Sequence, residues 1–112
     1  MTTCIKLPWP PRELSPNSRA HWSKKARCAR DYKFACFALA KQARLSAPPS
    51  DTIDVFLEFS PPDRRRRDHD NMIALAKYAL DGVAAAVGVD DRRFVLRSSV
   101  ADDARGEIRI SM

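Results

Sequence analysis

Ile53-Asp54-Val55-Phe56-Leu57-Glu58-Phe59-Ser60, followed at once by Pro61-Pro62, decides the fold class. Ile53, Val55, Leu57 and Phe59 alternate with Asp54, Phe56, Glu58 and Ser60, the period of two that sets one face of a strand on a core. The prolines end it, because they cannot donate to a ladder. From Asn71 the period lengthens. Met72, Leu75, Ala76, Ala79, Leu80, Val83 and Val87 recur at three- and four-residue steps, which predicts a helix over 71–87. Asp70 is placed to cap its start, and Gly88 to stop its end.

Outward from this pair the chain reads β-α-β-α-β-β. Cys4 to Leu7 is a short strand closed by Pro8-Trp9-Pro10-Pro11, and Arg12 to Ser18 is a loop. Arg19 to Leu45 is helical, with Ala29, Tyr32, Cys36, Leu39, Ala40 and Ala43 as its buried stripe. Phe34 and Phe37 lie off that stripe among cations, as an oligomer seam, as a stacking surface or as packing against a neighbouring loop. Phe94 to Val100 and Glu107 to Met112 read as a terminal hairpin turning at Asp102–Gly106. The expected architecture is one small α/β (α+β) domain over residues 1–112, a mixed sheet with two helices.

Lys plus Arg number 20 against 14 Asp plus Glu in 112 residues, a net charge of +6. Such a balance favours polyanionic partners. Cys4, Cys28 and Cys36 are an odd count without metal-ligand spacing, as expected of reduced thiols in a cytoplasmic setting and of small buried hydrophobes. No leader is visible from Met1 to Pro8, and no apolar run is long enough to cross a bilayer, so a soluble cytoplasmic protein is expected.

The charge is distributed unevenly. Pro62-Asp63-Arg64-Arg65-Arg66-Arg67-Asp68-His69-Asp70-Asn71 joins four arginines to two carboxylates, and Asp90-Asp91 follows one helix later. Clustered aspartates hold hard divalent cations, and guanidinium groups attract phosphate. On an extended segment Asp68 and Asp70 project to one side, where a Mg²⁺ ion would relieve their repulsion. His69 then points away and reads as structural or exposed. Lys77 stands two helical turns after Asp70 on the same face. It can stabilise charge on a reacting phosphate, or pair with Asp81 four residues on. His21-Trp22 has no partner at motif spacing.

A plain structural reading stands beside the metal reading. In it Asp70 only caps the helix, Asp68 pairs with an arginine, and Asp90-Asp91 form a solvated turn.

These residues resemble the RusA family of Holliday junction resolvases, small endonucleases frequent in phages and prophages. Leu7-Pro8-Trp9-Pro10-Pro11, followed by Asn17 in its loop, is similar to the family's opening motif. Pro62–Asp68 with Asp70-Asn71 is similar to its central motif, and Asp90-Asp91 to its last acidic pair. The resemblance implies a homodimeric, Mg²⁺-dependent endonuclease that binds four-way junction DNA and nicks two opposed strands in recombination and repair. It implies Asp68, Asp70 and Asp91 as catalytic metal ligands, with Asp90 as neighbour or alternate ligand. Asn17 and Arg64, Arg65, Arg66 and Arg67 would contact the DNA. The family's lysine falls at Ala74 here. Lys77 lies one turn further, about 5 Å, which its long side chain can span.

Two other functions fit parts of the pattern. A metal-dependent sugar-nucleotide transferase also uses Asp-x-Asp, but no second domain for the nucleotide is present. A non-catalytic basic DNA-binding module would use the aspartates as caps and ion pairs.

Overall fold

The computed structural model describes residues 4–112, so that part of the leader reading resting on Met1–Thr3 falls outside the described residues. Four strands and two long helices follow the expected β-α-β-α-β-β order. They are β1 (Cys4–Pro8), α1 (Trp22–Gln42), β2 (Ile53–Ser60), α2 (His69–Val87), β3 (Phe94–Val100) and β4 (Glu107–Ser111). Short 3-10 turns precede α1 (Arg12–Leu14) and β3 (Asp91–Arg93). No helix among the described residues is long and apolar enough to cross a membrane.

The sheet is mixed, in the order β1-β4-β2-β3. Strand β2 pairs in parallel with β3, as the intervening α2 crossover requires, and β4 is antiparallel to both β1 and β2. The alternation of β2 carries Ile53, Val55, Leu57 and Phe59 into the core, where Ile5, Leu7, Ile108 and Ile110 join them. Tyr32, Cys36 and Ala40 of α1 and Met72, Ala76, Ala79 and Val83 of α2 close that core. The other sheet face stays open, with Phe56 exposed on it.

The terminal hairpin does not form. Strands β3 and β4 flank β2 on opposite sides instead of pairing with each other. The connection from Ala101 to Gly106 wraps around the end of β2, and this redirects β4. Ala101 N–H donates to the Phe59 carbonyl at 2.8 Å, and the buried Ser60 hydroxyl donates to the Asp103 carboxylate at 2.7 Å. Ser60 also accepts the Arg105 N–H at 2.9 Å, and Asp103 receives Arg109 of β4 at 3.0 Å. A short polar turn therefore serves as a crossover, anchored on one buried hydroxyl.

Helix α1 is shorter than expected at each end. The His21 ring accepts the Ser23 N–H and so begins the helix at Trp22, while Arg44 takes a left-handed conformation (φ 55) beyond its end. This gives His21 a structural role. Of the three cysteines only Cys36 is fully buried, and burial pushes its thiol up to about 11. Cys4 is exposed, contrary to expectation, because the strand alternation sends it outward beside buried Ile5. Phe34 is 68 % exposed and stacks on Phe37 instead of packing under a loop.

Helix α2 begins two residues before its expected start. Asp68, not Asp70, is the N-cap: its carboxylate accepts the Asp70 N–H at 2.9 Å. Gly88 ends the helix in the left-handed conformation (φ 74), as its spacing predicts. Within α2, Gly82 lies against α1 so closely that a Cβ would sit 2.4 Å from the Lys33 carbonyl oxygen. The contact buries Gly82, while Leu75 and Val87 are only partly buried.

Candidate functional site

The arginine run lies in the loop between β2 and α2, and its members are not equivalent. Asp63 organises the loop by accepting the Arg65 N–H and the Arg67 guanidinium, each at 2.9 Å. The hydrogen bond from Arg67 holds the Asp63 carboxyl below the usual carboxylate range. Arg67 also donates to the carbonyls of Asp63 and Arg65 and lies over the Trp9 ring, 5.7 Å from its centre. Its side chain is only 15 % exposed. Arg67 is thereby committed to holding the loop. Arg65 approaches Asp63 at 3.9 Å, whereas Arg64 and Arg66 make no ion pair among the described residues and are exposed.

A cavity of about 650 Å³ opens where this loop meets the start of α2. Arg65, Arg66, Arg67 and Asp68 line it. Trp9 and Asn17, from the end of β1 and the segment before α1, line it with them. Two segments far apart in the chain thus converge on one opening.

Lys77 and Asp91 meet elsewhere. They line a cavity of about 190 Å³ with Leu80, Phe94 and Leu96, further along α2 and beside the start of β3. Lys77 is exposed and has no ion pair among the described residues. The expected alternative partner, Asp81, pairs instead with Lys33 of α1 at 3.3 Å. The neighbouring Asp81 carboxyl holds the Asp91 carboxyl above the ordinary range. Asp90 is engaged otherwise, accepting the Arg92 N–H at 2.9 Å and pairing with its guanidinium at 3.0 Å. The Arg92 bonds hold its carboxyl below the usual range.

The aspartates expected to share one cation are therefore divided between two places. Asp70 already belongs to the helix, so it does not project beside Asp68 as on an extended segment. Asp91 contacts Asp81, eleven residues and about 16 Å of helix axis beyond Asp70. Among the described residues no three His, Cys, Asp or Glu side chains are close enough to hold one metal ion. A centre formed by Asp68, Asp70 and Asp91 together does not assemble.

The donor chemistry still suits Mg²⁺, which commonly takes one or two protein carboxylates and completes its shell with water and substrate phosphate. The Asp81–Asp91 contact is such a pair, and a cation there would relieve the charge that Lys77 only borders. Asp70, by contrast, makes no hydrogen bond or ion pair of its side chain among the described residues. Asp81 is the residue that reading the sequence missed. Its signal was available, since positions 70, 77 and 81 fall on one helical face.

His69 is an anchor. Its Nε2 lies 3.0 Å from the Ser98 hydroxyl of β3, and its ring meets Phe59 edge-on at 6.1 Å. It ties the first turn of α2 to the sheet, in keeping with the structural role expected.

No protein-family model matches the chain. It is 37% identical over 113 residues to an uncharacterized protein of Xylella fastidiosa (strain Temecula1 / ATCC 700964), an alignment that covers 96% of this chain and 74% of that protein. The chain belongs to the family of that Xylella protein. An alignment of that coverage takes in both helices, so the two openings along α2 fall within the shared part.

Proposed function

We propose that this chain is a Mg²⁺-dependent, structure-selective DNA endonuclease of the RusA type. In this reading it acts as a cytoplasmic homodimer that resolves four-way junctions by paired nicks during recombination and repair. The observation carrying the proposal is the convergence of Asn17 and Trp9 with Arg65, Arg66 and Asp68 around one cavity. The two motifs that resemble the family's opening and central segments thus converge on one opening, without being neighbours in the chain.

The chemistry divides along α2. Arg64 and Arg66, exposed and without an ion pair among the described residues, attract backbone phosphates and supply affinity that weakens with salt. Asp91, with Asp81 beside it, would hold the cation, and Mg²⁺ when bound would lower the pKa of water and neutralise phosphate charge. Lys77 lies beside Asp91, where its ammonium stabilises negative charge developing on the scissile group. Asp68 fixes the first turn of α2 and so sets the direction of Asp70. A twofold dimer matches the symmetry of a junction and accounts for nicks in two opposed strands.

A synthetic four-way junction with one labelled strand tests this. The expected result is Mg²⁺-dependent nicking near the branch, with linear duplex of the same sequence cut far more slowly. Equal cutting of both substrates defeats structure selectivity. Binding without any cutting in Mg²⁺ or Mn²⁺ favours the basic DNA-binding module instead.

A further inference from the structure

The cavity at the start of α2 has more wall than phosphate binding needs. Phosphates are read by cations at an open surface, and such contacts call for no apolar enclosure. Here one side is built from buried Pro10, buried Met72 and partly buried Leu75. Two carboxamides, Asn17 and Asn71, stand on the same rim, and neither side chain has a hydrogen-bond partner among the described residues. Arg66, without an ion pair among the described residues, completes the rim. The volume of about 650 Å³ lies within the roughly 300–1,000 Å³ of sites that enclose a small ligand.

A nucleotide combines a planar face of low polarity, an edge of donors and acceptors, and an anion. The walls offer a counterpart to each. Apolar side chains cover the base plane, a carboxamide donates and accepts at the base edge, and a guanidinium takes the phosphate. Trp9 is part of the enclosure and not a free stacking platform, since Arg67 covers one face of its ring and Phe59 meets it at 6.2 Å.

We infer that this cavity receives one unstacked nucleotide of the substrate, its base on Pro10, Met72 and Leu75, its edge on Asn17 and Asn71, and its phosphate on Arg66. The inference rests on the reading that the substrate is DNA, and it adds a base-reading site to that reading. Entry requires the base to leave the helical stack, which is cheapest where pairing is already interrupted, as at a branch point. The cavity then selects for branched DNA and biases the position of the cut by base.

Two measurements test the inference without using cleavage. In the first, amide NMR of the metal-free protein is followed during titration with dAMP, dCMP, dGMP and dTMP, and with deoxyribose 5-phosphate as a probe lacking the base. The expected result is perturbation of the Asn17 and Asn71 side-chain NH₂ signals by at least one mononucleotide. The sugar phosphate should bind about tenfold or more weakly, the scale of one lost base-edge pairing. Equal binding of both overturns the inference and leaves the endonuclease reading intact.

In the second, a four-way junction carries 2-aminopurine beside the branch. Its fluorescence should rise when the wild-type protein binds and stay low when Asn71→Ala or Leu75→Ala binds at saturating concentration, with folding checked by circular dichroism. A wild-type complex that leaves every branch-point 2-aminopurine silent overturns the inference. Mononucleotide shifts without any junction binding keep the pocket and sink the junction reading.

Discussion

The two openings along α2 differ in how they are held. The one at its start is fixed by a dense local network: Asp63 gathers Arg65 and Arg67, Arg67 covers Trp9, and Asp68 caps the helix. The one further along depends on long-range contacts, Asp81 with Lys33 of α1 and Asp91 in the turn before β3. Cations outnumber carboxylates around the first, and carboxylates crowd at the second. The first has the build of a binding surface, with its conformation set in advance. The second leaves two carboxyls in contact, an arrangement suited to a cation.

The sharpest test of that division is Asp91→Asn, which removes a carboxylate of the second opening and leaves the first intact. Nicking should fall by at least about 10³-fold while junction affinity holds or rises. Undiminished nicking would remove Asp91 from the chemistry. Gly82→Ala should affect the second opening through its support. The added methyl meets the Lys33 carbonyl, so α1 must shift, at about 1–3 kcal/mol by urea denaturation. The Lys33–Asp81 pair should loosen with it, while mononucleotide binding at the first opening persists.

A pair of arginine substitutions separates binding from scaffolding within the first opening. Arg66→Ala should leave the melting temperature unchanged and reduce the slope of log affinity against log salt by about 1. Arg67→Ala should cost about 1 kcal/mol of stability, since three of its hydrogen bonds are internal to the loop. Identical behaviour of the two would erase the distinction drawn here.

The smallest effect concerns pH and lies away from both openings. The Asp103 carboxyl is held below its usual range first by the Ser60 hydroxyl and then by Arg109. A lowered folded-state pKa contributes stability that is complete above the unfolded value of about 3.9 and is lost as pH falls through the folded value. Asp103→Asn should therefore flatten the decline of melting temperature below about pH 4, measured by thermal scans, and leave both openings unchanged.

The elements were legible because periodicity is a local property. The alternation of β2 and the three- and four-residue steps of α2 need no knowledge of partners. Which strand lies beside which is not local. Phe94–Val100 and Glu107–Ser111 are joined by a short polar turn and look like a hairpin, yet the buried Ser60 hydroxyl captures that turn and sends β4 to the other side of β2. The same limit applies to the site. Asn17 and the arginine loop could be named from motifs, but the extended geometry assumed for Asp68 and Asp70 fails because Asp68 caps a helix that already contains Asp70. Asp81 was read only as a neighbour of Lys77. Its contacts with Lys33 and Asp91 depend on α1 and on the turn before β3, neither of which is adjacent to it in the chain.

Strand β4 is the last of the four to be synthesised, yet it lies between β1 and β2. A nascent chain emerging from the ribosome can form α1, α2 and the β2–β3 pair, but β1 has no strand to join until β4 arrives. Until then both β1 and one side of β2 present unpaired backbone. The newly made chain is consequently most exposed to proteases and to mispairing with other chains in the interval before β4 slots into the gap.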